Sequence, residues 1–229
     1  RLAQHPVHLG VDVARLGSDA TVLAEYVENV GVRKLVRLRK QDTMATCGDV
    51  VNHANAIAAT TVNVDADGLG AGVFDRVNEV FSGGDSMLFI DEKSGLDASR
   101  HGGVTRSNPK DSESAMKSRA YGASSPRVRE VRGGMRPKIS DRFFNLRAEW
   151  YWTLREKLDP SNDNPISLPP DDKLFSQLTS IRWRLNSKGQ IRIEGKDEMR
   201  TRGMQSPDEA DAVVYALSGQ ETFVEFVFV

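Results

Sequence analysis

Two short apolar segments, Val7-His-Leu-Gly-Val-Asp12 and Thr61-Val-Asn-Val-Asp65, each end on an aspartate, with helical spacing between them. That alternation constrains the fold more than any other feature of the chain. Both segments read as strands, and Ala20 to Tyr26 and Val32 to Leu38 read as two more. Turn residues at Leu16-Gly-Ser-Asp19 and Asn29-Val-Gly31 make the first three strands a meander. Thr46 to Ala59 carries Val50, Ala54, Ile57 and Ala58 at helical spacing. After Asp65 a glycine-rich turn leads into a second helix with Val73, Val77 and Val80, and Met87-Leu-Phe-Ile90 closes a β-α-β-α-β run. Strands joined through helices pair in parallel, so an α/β sheet of about five strands, mixed in direction and covered by helices, is expected.

Beyond Ile90 the composition shifts. Residues 94–138 are rich in Lys and Arg against four acids, Asp97, Asp111, Glu113 and Glu130, and poor in apolar residues. Such a stretch buries too little surface to order itself, so a long basic, flexible insertion is expected over 94–138. Ser140 is the expected cap of a helix over Asp141 to Leu158 that lines up Phe143, Leu146, Trp150 and Leu154. A proline-rich link from Pro160 to Pro170 precedes a helix over Asp171 to Leu178. Arg182 to Leu185 and Gln190 to Ile193 form a small hairpin across Asn186-Ser-Lys-Gly189. The final helix runs from Ser206 to Leu217, with Ser206 as cap, Pro207 at the first position and Glu209 completing a capping box.

Several function classes fall away on composition. A net charge of −1 excludes a uniformly basic nucleic-acid coat, though not a local basic patch. The single cysteine, Cys47, excludes a disulfide framework and a multi-cysteine zinc site, and no histidine partner makes it a nucleophile. His5, His8, His53 and His101 have no metal-ligand spacing. No apolar run approaches the roughly 20 residues a membrane span needs, so no membrane partner is expected. The chain opens on Arg1 rather than Met and is expected to be part of a longer polypeptide.

Three acidic positions stand at the ends of elements rather than on solvated faces. Asp12 ends the first strand. In Thr61 to Asp65 the strand period puts Val62 and Val64 on one face and Asp65 on the other. Asp208 and Asp211 lie in the first turn of the last helix, beside the apolar stripe of Ala210, Val213, Val214 and Leu217. Carboxylates brought together repel one another unless a cation joins them, and oxygen-only ligand sets suit Mg²⁺ and Mn²⁺. Taken singly, each aspartate also fits a turn or a cap.

Gly10-Val-Asp-Val-Ala14 with Gly17-Ser-Asp19, Val64 to Val73, Asn145-Leu-Arg-Ala-Glu-Trp150 and Ser206-Pro-Asp-Glu-Ala-Asp-Ala212 resemble, in order, the motifs of the nuclease domain of the large terminase subunit of tailed bacteriophages. The resemblance spans nearly the whole chain. It implies an RNase H-like fold and a metal-dependent endonuclease that cuts double-stranded viral DNA, with little sequence specificity, during genome packaging. Carried over, the catalytic metal ligands are Asp12, Asp65 and Asp211, with Asp208 as an accessory ligand, holding two Mg²⁺ or Mn²⁺ ions. The resemblance further implies an ATPase motor domain in the same polypeptide, a portal protein and a small terminase subunit as partners, and the cytoplasm of an infected bacterial host as location. No Walker A pattern occurs in this chain. Arg127, Arg129 and Arg132, in the basic insertion, are the expected DNA-backbone contacts.

Two other classes stay open at the level of sequence. Gly10-Val-Asp-Val-Ala-Arg-Leu-Gly17 loosely resembles the phosphate hairpin of actin-like and sugar-kinase ATPases. A catalytically silent DNA-gripping module would use the basic insertion alone. A dinucleotide site at Gly68-Leu-Gly70-Ala-Gly72 is disfavoured, because Val73 stands at the third glycine position and Asp65 and Asp67 would repel a pyrophosphate.

Overall fold

The computed structural model describes residues 5–14, 20–39, 42–83 and 125–219. Its centre is a five-stranded mixed sheet of β1 (Val7–Asp12), β2 (Val22–Val27), β3 (Gly31–Arg37), β4 (Thr61–Asp65) and β5 (Arg127–Val131), ordered β3-β2-β1-β4-β5. The meander β1-β2-β3 is antiparallel; β4 and β5 run parallel to β1. The parallel pairing follows from helix α1 (Thr43–Ala56), which carries the chain back before β4 begins.

Helices cover both faces. On one, α1 and α2 (Gly70–Phe81) pack on Leu9, Val11, Leu23, Val62 and Val64. On the other, α3 (Leu146–Leu158), α4 (Asp172–Ser180) and α6 (Asp208–Leu217) pack on Val22, Ala24 and Tyr26, together with the hairpin β6 (Trp183–Leu185) and β7 (Ile191–Ile193). A short helix α5 (Lys196–Thr201) links the hairpin to α6. Among the described residues no helix is long and apolar enough to cross a membrane.

The strand period assigns each side chain its layer. Leu9 and Val11 face α1 and α2, which leaves Gly10 and Asp12 on the α6 side. Val62 and Val64 likewise leave Asn63 and Asp65 on the α6 side, where Asn63 Nδ2 donates to the carbonyls of Tyr215 (2.8 Å) and Ser218 (3.2 Å). Gly10 permits the close approach of α6 to β1 at the centre of the molecule. A Cβ there would stand 2.1 Å from Ala212 O and 2.3 Å from Ala216 N.

Several expectations are corrected at element ends. The basic stretch over 94–138 is not one insertion: its last part holds β5, paired residue for residue with β4 and anchored by the buried Val131. Among the described residues β5 is the edge strand, where charged side chains such as Arg and Glu are tolerated. Residues 94–124, the expected strand Met87 to Ile90 and the turn Leu16 to Asp19 lie outside the described residues. α1 starts three residues before the expected Thr46, because Asp42 caps it through Ala45 N (2.8 Å). α3 starts at Leu146 rather than after Ser140, since the Asn145 side chain accepts from Ala148 N (3.0 Å) and Phe143 is engaged in a bridge to Ile191. At α6 no capping box forms. Pro207 stands at the boundary with no side-chain cap, and Glu209 takes partners on other elements.

Glu209 is fully buried and accepts from Arg37 Nε (2.7 Å) and Gln177 Nε2, while Lys173 Nζ lies 2.8 Å away. Burial works against its charge, but Lys173 and Arg37 outweigh it and hold the carboxyl below its usual range. Gln177 Oε1 also accepts from Ala210 N (2.9 Å), so the first turn of α6 is tied to α4 and β3 on its outer side. The whole of α6 is buried, not only the stripe read from its sequence.

Candidate functional site

β1 and β4 are neighbours and parallel, so Asp12 and Asp65 close the same end of the sheet on the same face. α6 crosses that face at Gly10 and brings the first-turn residues Asp208 and Asp211 to the same end. All four carboxylates are buried, Asp211 completely. Asp67 is exposed in the following turn, and its N–H donates to Asp65 Oδ1 at 3.1 Å. The glycines after Asp65 serve the turn itself. Gly68 takes φ +69°, and a Cβ on Gly70 would lie 1.8 Å from Asp65 O. They let the chain fold back over Asp65 into α2.

A lysine joins the acids. Lys196 Nζ, at the start of α5, lies 3.3 Å from Asp12 Oδ1 and 3.1 Å from Asp211 Oδ2. The second contact is an ion pair rather than a directed hydrogen bond. The other oxygen of Asp211 accepts from Arg147 Nη1 and from the Tyr151 hydroxyl (2.7 Å). Asp208 Oδ2 accepts from Ala20 N at 3.3 Å, and the Tyr215 hydroxyl donates to Asp65 Oδ2 at 3.4 Å. Trp150 packs edge-on against the Tyr215 ring, a core role as its helical position suggested.

The electrostatics divide the carboxylates. Burial pushes Asp12 well above the usual carboxylate range; Lys196 pulls it back, and Asp211, Asp208 and Asp65 push it further up. Asp65 is also raised, chiefly by burial, with the Asp67 N–H and Lys196 opposing. At Asp211 burial is outweighed by Arg147, Lys196 and the Tyr151 hydroxyl, so its carboxyl is held below the usual range. Tyr151 and Tyr215 are pushed well above their usual value by burial and by Asp211, which keeps both as donors at neutral pH. Burial opposes charge at Lys196 too, but Asp12 and Asp211 outweigh it and raise its pKa.

Among the described residues no group of three or more His, Cys, Asp or Glu is arranged to hold a metal ion as it stands. The four carboxylates are gathered but not preformed as a cage among the described residues. The physical reason is that Lys196 supplies the positive charge between Asp12 and Asp211, while Arg147 and Tyr151 hold one oxygen of Asp211. The donor set still fits a hard divalent cation: it is oxygen-only, acidic, and already gathered around a cationic group.

The expected DNA contacts are separated by the strand that holds them. Val131 pairs with Asp65, so Arg132 stands at the aspartate end of the sheet, while Arg127 pairs with Thr61 at the opposite end. Arg129 Nη1 donates to Gly219 O (3.0 Å), and Arg132 Nε donates to Glu130 Oε1 (2.5 Å). Sequence reasoning missed Lys196, because a lysine after a hairpin carries no local signal. Arg147 and Tyr151 had one: they stand four apart on a helix, within and beside the motif Asn145 to Trp150.

No protein-family model matches the chain, and no curated protein matches it in sequence. Solved structures do match its fold. The nuclease domain of the large terminase subunit gp2 of bacterial virus Sf6 superposes with a TM-score of 0.66 at 22% identity, covering 93% of this chain and 88% of that one. A mutant of that domain with manganese and beta-thujaplicinol gives a TM-score of 0.69 at 21% identity over the same shares. The large terminase nuclease from thermophilic phage G20c gives 0.54 at 11% identity, covering 95% of this chain and 83% of that one. The fold of this chain is that of large terminase nuclease domains, an RNase H-like mixed sheet with helices on both faces.

Proposed function

We propose that this chain is a metal-dependent endonuclease domain that cuts double-stranded viral DNA during genome packaging, with little sequence specificity. The observation that carries the reading is the convergence of Asp12, Asp65, Asp208 and Asp211, from two parallel strand ends and one helix, around a half-buried ammonium group. A nuclease domain of the same fold has been solved with manganese, which agrees with that donor set. Asp12, Asp65 and Asp211, with Asp208 beside them, would hold two Mg²⁺ or Mn²⁺ ions, which supply an activated water and neutralise charge on the phosphate being cut. Lys196 pulls Asp12 towards the ionised form against burial, helps to hold Asp211 ionised, and offsets the repulsion between the two when no other cation is present. By the same reading the chain works beside an ATPase motor domain, a portal protein and a small terminase subunit, in the cytoplasm of the infected host.

Plasmid nicking in Mn²⁺, Mg²⁺ and EDTA tests this. Cleavage with either ion and silence in EDTA are expected. Full activity in EDTA, or a folded protein inert with every divalent ion, would sink the reading. ATP turnover by the chain would favour a kinase-like ATPase instead.

Affinity for DNA should come from Lys and Arg contacts to phosphates, and the geometry ranks the arginines of β5 and its end. Arg132 adjoins the carboxylates; Arg127 lies about 13 Å from that end of the strand at its usual rise. Arg132→Ala is expected to weaken binding to all sequences alike and to lower the salt slope by about 1, while Arg127→Ala leaves both nearly unchanged. Fluorescence anisotropy across a salt series measures this. Equal effects of the two substitutions would show that DNA runs along the whole edge strand.

A further inference from the structure

We infer that Arg147 and Tyr151 are positioning residues: together they clamp Oδ1 of Asp211 and so leave Oδ2 as the oxygen that faces a divalent cation. The inference rests on the metal-dependent reading above and adds a part that the four aspartates do not contain. Its basis is the division of labour between the two oxygens of one buried carboxylate. Oδ1 accepts both the Arg147 guanidinium and the Tyr151 hydroxyl, from one helix and one side. Oδ2 faces Lys196 Nζ, the same cationic group that touches Asp12.

The clamp is needed because the last torsion of an aspartate is broad and roughly two-fold. An unclamped carboxylate in the first turn of α6 could present either oxygen, or both, to a cation. Two donors on one oxygen remove that freedom. They are themselves well fixed. Arg147 and Tyr151 are four apart on α3, and the guanidinium stacks over the Tyr151 ring at 4.7 Å. The start of α3 is tied down by Asn145 and by the Leu146 and Arg147 N–H groups, which donate to Met135 O and Gly133 O at 2.9 Å each. The guanidinium bonds Asp211 through Nη1, while its Nε and Nη2 are buried with no hydrogen-bond partner among the described residues. An arginine held at that cost, beside a carboxylate and an aromatic face, suits a fixed strut better than a surface ion pair.

The experiment titrates Mn²⁺ into the metal-free chain by calorimetry, for wild type, Tyr151→Phe and Arg147→Lys, with melting curves in EDTA alongside. Tyr151→Phe removes one hydroxyl and keeps the ring; Arg147→Lys keeps the charge and loses the planar group that stacks on that ring and reaches Asp211 through Nη1. Each is expected to weaken Mn²⁺ binding about tenfold or more, the usual range for groups that orient a metal ligand. Nicking should fall at low Mn²⁺ and return at high Mn²⁺. A merely structural role would lower the melting temperature and leave the Mn²⁺ affinity as it was, and that result for both variants overturns the clamp alone. A wild-type chain that takes up no Mn²⁺ and cuts no DNA overturns the metal-dependent reading and the clamp with it.

Discussion

Asp12→Asn, Asp65→Asn and Asp211→Asn are each expected to take plasmid nicking below detection at every Mn²⁺ concentration, with the protein still folded. These three carboxylates sit on rigid elements, two at strand ends and one on a wholly buried helix, and metal geometry depends on such rigidity. Asparagine is the informative replacement. Asp211→Ala would leave the largely buried Arg147 without its partner, a change that costs about 3–5 kcal/mol in comparable buried pairs and confuses folding with chemistry. Asp12 makes a sharper test still. Its folded-state carboxyl is raised by burial, so its charge penalises the fold increasingly as pH rises past the ordinary carboxylate range. Asp12→Asn in EDTA at neutral pH should therefore melt no lower than wild type while being inactive. Asp208→Asn should weaken cleavage in a way that more Mn²⁺ restores, and Asp67→Asn, exposed and off the sheet, should matter least. Activity in Asp65→Asn together with its loss in Asp67→Asn would reassign that ligand.

Gly10→Ala is expected to be a strongly damaging single-methyl change in the described core. Its Cβ would meet backbone atoms of α6, Ala212 O at 2.1 Å and Ala216 N at 2.3 Å, and backbone cannot rotate away as a side chain can. The helix must lift from β1, at a cost of about 3 kcal/mol, the upper end of ordinary overpacking. For a domain of this size that lowers the melting temperature by roughly 6–12 °C. The lift also carries Asp211 away from Asp12, so cleavage should fall further than stability does. Gly72→Ala is the control: it lies inside α2, and a Cβ there meets nothing closer than Thr43 Cγ2 at 4.0 Å. It should be neutral or stabilising by up to about 1 kcal/mol, as alanine for glycine inside a helix usually is. Equal melting temperatures for Gly10→Ala and wild type would show that α6 does not rest on β1 at that glycine.

Much of this molecule could be read along the chain, for a common reason. Strand and helix periods are local properties, so the β1 to β4 order, the α2 stripe, the Val50 and Ala54 part of the α1 stripe and the alternation that puts Asp65 opposite Val62 and Val64 were visible in short runs, whereas Ile57 caps α1 and Ala58 lies beyond it at φ +50°. The fifth strand was not visible in this way. Arg127 to Val131 reads as part of a basic, unstructured stretch, and only pairing with β4 makes it a strand. Ser206 and Glu209 had the spacing of a capping box, yet Glu209 found Arg37, Lys173 and Gln177, partners 172, 36 and 32 residues away. Local hydrogen-bonding rules lose whenever a buried charge has a better partner elsewhere. The aspartates could be named from the sequence because each ends an element. Their meeting, the ammonium of Lys196 among them and the Arg147 and Tyr151 donors on one oxygen of Asp211 depend on parallel pairing and on the glycine contact that lets α6 lie against β1. Such contacts join residues from opposite ends of the chain, and no periodicity in a single sequence records them.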